Sequence, residues 1–106
     1  MFSLVRTREA SMTMKQLESN ARKCGYMGKQ AGLLKRIDKT LALLRSNPRH
    51  PGLRTHGIKH LAKRSEITGK VFESYVQNDS PSAYRVLWRY GPERRRITIL
   101  MIMPHP

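Results

Sequence analysis

Cysteine is nearly absent from this chain: Cys24 stands alone among 106 residues. One thiol excludes an internal disulfide and fits a reducing compartment. With four histidines and no CxxC pair, the sequence gives little support for a structural metal, and no cofactor is expected. Carboxylates are scarce too: 7 Asp and Glu stand against 21 Lys and Arg, a formal charge of +14. Folding does not ask for such self-repulsion, so the excess points to a polyanionic partner: nucleic acid, an anionic membrane surface or an acidic protein. Long apolar runs are missing. The longest, Ile97 to Met103, falls far short of the roughly 18 residues that suggest a membrane span. The start, MFSLVRTREA, reaches Arg6 and Arg8 too soon for a secretory leader. These absences lead to the expectation of a cytoplasmic protein with no membrane partner, one domain over 1–106.

What is present falls into two halves. FSLV at 2–5 is a candidate first strand. Thr13 and Gln16 stand at capping-box spacing, followed by Met14, Leu17, Ala21 and Cys24 at helical intervals, with Gly25 as the stop. A second helix is marked by Leu34, Ile37, Leu41 and Leu44, one apolar stripe ended by SNPRHPG. Residues 52–68 are basic and aperiodic, a loop with room for a short strand. Then the period changes to two. VFESYV and YRVLWRY alternate, the latter setting Tyr84, Val86, Trp88 and Tyr90 against Arg85, Leu87 and Arg89, and the terminal strand begins near Ile97. The order predicts an α+β fold, two N-terminal helices packed on an antiparallel sheet.

If one face of that sheet takes the helical stripe, the other is free to present polar residues. Arg85 and Arg89 share that face, about 13 Å apart at about 3.3 Å per residue, which suits two points along a phosphate backbone or simply two solvated charges. Trp88 and Tyr90 fit a core, or bases stacked on the sheet. Imidazole exchanges protons near neutral pH, so His56 and His60 around Lys59 are candidates for chemistry, whereas His50 reads as a loop residue without a role. His105 is held between Pro104 and Pro106, which favours extended backbone continuing the last strand. Glu73, the one carboxylate in the expected strands, is a general base or, more simply, the counter-ion of Arg85 or Lys59.

Taken in order, LLKRIDKTLALLRSNPRHPGLRTHGIKHL, GKVFESYV, YRVLWRY and ITILMIMPHP resemble the RelE/ParE superfamily of bacterial toxins over residues 30–106. The resemblance implies two helices over a curved antiparallel sheet and, in its RelE-like branch, ribosome-dependent mRNA cleavage by the 2′-OH without metal. It also implies the ribosome, mRNA and a cognate antitoxin as partners. By position, Arg85 matches the strand arginine at the scissile phosphate and His105 the terminal general acid. Lys59 and, less directly, His60 fall in the basic loop, and Glu73 stands where a basic residue is common. His56, His60, Lys63, Arg64 and Arg89 are then the candidate RNA contacts. Two alternatives stay open: a ParE-like inhibitor of a protein such as a DNA topoisomerase, and a basic nucleic-acid-binding module without catalysis.

Overall fold

The computed structural model describes residues 1–58, 70–77 and 83–104. Strand β1 (Ser3–Arg6) leads into helices α1 (Arg8–Lys23) and α2 (Gly28–Ser46), then a 3-10 turn at Pro51–Leu53. Strands β2 (His56–Ile58), β3 (Val71–Tyr75), β4 (Tyr84–Tyr90) and β5 (Arg96–Pro104) follow. The sheet order is β1-β5-β4-β3-β2. The later strands pair antiparallel, as expected, but β1 runs parallel to β5, with Leu4 opposite Ile97. The sheet is therefore mixed, and the antiparallel expectation is corrected at this edge. Two helices separate β1 from the rest, and so long a crossover permits parallel pairing.

Helix α1 begins earlier than its capping-box spacing suggests. Thr7 is the N-cap: its Oγ1 accepts from the Ala10 N–H at 3.2 Å and donates to the Leu100 carbonyl at 2.7 Å. Thr13 lies inside the helix, its hydroxyl donating to the Glu9 carbonyl at 3.1 Å. The far end is as expected, with Gly25 at φ +64° just beyond the cap. Cys24, expected on the apolar stripe, is the exposed C-cap. On α2, Ile37, Leu41 and Leu44 are buried and Leu34 is half-buried. They meet Met14 and Leu17 of α1 and Val86, Trp88, Ile97, Ile99 and Ile102 of the sheet.

The run Ile97 to Met103, apolar but for Thr98, cannot all face one side of a strand, and β5 meets this with an irregularity. Leu87 pairs with Met101 but Trp88 with Ile99, which leaves Leu100 as an extra residue. Ile97, Ile99 and Ile102 thus reach the helix layer, while Leu100 joins Val71 and Leu87 in a second apolar cluster flanked by Ile58 and Met101. The face away from the helices, expected to be free for polar residues, thus carries an apolar cluster as well. Among the described residues, no helix is long and apolar enough to cross a membrane.

Candidate active site

The alternation of β3 and β4 brings the site together. Glu73 and Tyr75 share a face of β3 by the period of two, Tyr75 lies opposite Arg85, and His56 lies opposite Glu73. One carboxylate oxygen, Glu73 Oε1, sits 3.2 Å from Arg85 Nη1 and 3.1 Å from His56 Nε2. The Arg85 guanidinium lies 4.5 Å from the centre of the Tyr75 ring, and the Arg54 guanidinium lies 4.7 Å from it. His56 also approaches that ring, with centroids 5.7 Å apart. The result is a carboxylate bridging a guanidinium and an imidazole, with a tyrosine ring between two arginines.

Burial divides the group. Arg85 is 3% exposed and Glu73 8%, while the His56 side chain remains half open. Arg85 is therefore no solvated strand charge, and a phosphate can reach it only if its neighbours shift. Glu73 has the counter-ion geometry expected from sequence. A carboxylate that accepts from Nε2–H of His56 leaves Nδ1 as the proton-accepting nitrogen of a neutral ring. So placed, the pair can hold an imidazole in one orientation beside a buried positive charge.

The other sequence candidates are less concentrated. Arg89 is half-buried farther along β4, opposite Thr98 of β5. Lys59, His60, Lys63, Arg64 and His105 lie outside the described residues. Of the described residues near them in the chain, Met103 is the register partner of Arg85, whereas Ile58 pairs with Val71, at the other end of β3 from Tyr75. Trp88 is core, its Nε1–H donating to Ser74 Oγ at 2.8 Å, and Ser74 in turn shares a 2.6 Å hydrogen bond with Thr55. Tyr90, by contrast, is 43% exposed and closes an aromatic group with Phe2, Phe72 and Trp88. Among the described residues no three of His, Cys, Asp and Glu come together as metal ligands.

Three residues at or near the site carry no role in the sequence reading. Tyr75 was legible, since two residues on from Glu73 it shares the same strand face. Arg54 was not: it holds a left-handed backbone, φ +47°, at the end of the 3-10 turn and reaches the Gln77 carbonyl at 3.3 Å. His50, read as a loop residue without a role, uses Nδ1 to accept from the Gly52 N–H at 2.9 Å and so shapes that turn.

No family model matches the chain, and no curated protein matches it by sequence. Solved structures match it closely in fold. A YoeB/ParE toxin from Agrobacterium tumefaciens superposes with a TM-score of 0.68 at 11% identity, covering 99% of this chain and 100% of that one. A copper-bound mutant toxin from Helicobacter pylori gives 0.61 at 14%, covering 99% and 96%. The fold is that of the RelE/ParE-like toxins.

Proposed function

We propose that this protein is the toxin of a bacterial toxin–antitoxin pair and that it cleaves mRNA on the ribosome. The observation that carries the reading is the Arg85–Glu73–His56 cluster, set on the sheet face where the last strand runs out toward His105. Cleavage by the 2′-OH requires an acceptor for its proton, positive charge for the phosphorane and a donor for the departing 5′-oxygen. His56, oriented by Glu73, is the acceptor. Arg85 supplies the charge once the phosphate draws it from Glu73, and His105, separated from Met103 by Pro104 alone, is the donor. The 2′-oxygen bonds to phosphorus as the bond to the 5′-oxygen breaks, leaving a 2′,3′-cyclic phosphate and a 5′-hydroxyl. Lys59, which follows Ile58 directly in the chain, adds positive charge for the RNA backbone. The cytoplasm is where mRNA, ribosome and antitoxin would meet.

A second reading has its own support. Arg85 is buried and already neutralised by Glu73, which suits a structural pair in a ParE-like inhibitor that binds a protein target without cutting RNA. Primer extension on mRNA in a reconstituted translation system separates the two. Wild type is expected to cut at the A-site codon, His105→Ala to abolish the cuts, and His56→Gln to reduce them by about 10²-fold or more. Translation that continues with intact mRNA would move the assignment to the protein-binding reading.

A further inference from the structure

Beside the Arg85 cluster lies a cleft of about 700 Å³ between α2, the 3-10 turn and the end of β3. Its described lining includes Arg36 and Lys39 of α2, Arg54, His50 and Tyr75, and no carboxylate. Arg36 and Lys39 are exposed, and no hydrogen bond or ion pair shown for the described residues uses either side chain. Arg54 is fixed differently, with its guanidinium on Tyr75 and its Nη2 on the Gln77 carbonyl. The Tyr75 ring belongs to both places: it lines the cleft and covers Arg85.

We infer that this cleft binds the single-stranded RNA segment next to the one held at Arg85. The inference rests on reading the protein as an RNA-acting toxin. Three cations without an acid provide for consecutive phosphates, and the His50 ring and the Arg54 guanidinium, which is backed by Tyr75, offer planar groups on which unpaired bases stack. Tyr75 makes the path continuous, from α2 round the end of β3 to the buried arginine. A cleft of about 700 Å³ suits a few nucleotides of one strand, whereas an A-form duplex presents its phosphates on a far broader body.

The test is fluorescence anisotropy with a short, fully 2′-O-methylated RNA, without ribosomes, so that binding is read where no cleavage can occur. Replacing both Arg36 and Lys39 with Gln is expected to weaken binding about tenfold or more at 0.1 M salt, and to reduce the slope of log K against log salt by about 1.4. The control variant, Lys15→Gln with Arg22→Gln, removes two exposed charges of α1 and is expected to change affinity less than twofold; circular dichroism confirms that both proteins fold. Equal losses in the two variants would overturn the inference in favour of a diffuse basic surface. A hairpin RNA that binds as tightly and loses as much would overturn it in favour of a duplex site. No binding by wild type would also overturn it. Because the RNA cannot be cut, a cleft that binds while translation assays show no cleavage would sink the proposed nuclease and leave the cleft standing.

Discussion

At the scale of single residues, the buried Glu73–Arg85 pair sets the terms for the whole site. Two charges removed from water are tolerable together and costly apart, because the survivor keeps its desolvation without its partner. Glu73→Ala is therefore expected to lower the unfolding free energy by about 3–5 kcal/mol, read from urea titration. The double replacement Glu73→Leu with Arg85→Met is expected to recover most of that loss. A single variant as stable as wild type would show that water reaches Arg85. The pair was half legible in sequence. Glu73 is the one carboxylate in the expected strands, and a counter-ion role beside Arg85 or Lys59 is the simpler of its readings. Burial was not legible, since it comes from Tyr75 and His56, whose approach depends on strand register and on a turn in which Arg54 takes a left-handed conformation. The chain of hydrogen bonds from Trp88 through Ser74 to Thr55 was hidden for the same reason.

Helices and strands were easier to read where the signal is local. The stripe at Leu34, Ile37, Leu41 and Leu44 forms the inner face of α2 because four positions at steps of three and four share one side of any helix. The beginning of α1 misled for a physical reason. Thr13 and Gln16 satisfy a local spacing rule, whereas Thr7 caps the helix while also bonding a carbonyl of β5, 93 residues away. No local pattern announces that second bond, nor the parallel pairing of β1 with β5 beside it. Thr7→Ala removes the cap and the tie together and is expected to cost about 2 kcal/mol, at the upper end for cap losses, whereas Thr7→Ser, which keeps the hydroxyl, costs less than half of that. Urea midpoints of the two variants check this. Equal losses would mean that the methyl group, not the hydroxyl, holds this corner.

Across the whole molecule the dominant quantity is charge. Twenty-one cations share the chain with seven carboxylates, and the ion pairs among the described residues draw on just two of these, Glu73 and Glu93. Glu93 pairs with Arg96 at 2.7 Å on the surface, where such contacts contribute little. Long-range repulsion among the remaining cations is thus expected to outweigh local attraction. Screening decides the sign of the salt effect: at 0.01 M the Debye length is about 30 Å and the charges repel across the molecule, while at 1 M it is about 3 Å and they do not. Thermal stability is accordingly expected to rise with sodium chloride, by several degrees between 0.01 and 0.5 M, while affinity for RNA falls over the same range. Scanning calorimetry and anisotropy on one preparation test the two together. Stability that fell with salt would mean that attraction between opposite charges outweighs the repulsion. The opposed trends follow from one cause. The charge that strains the free fold is charge available to a phosphate backbone, so binding a polyanion would relieve the strain, and an acidic protein segment would do so by the same physics.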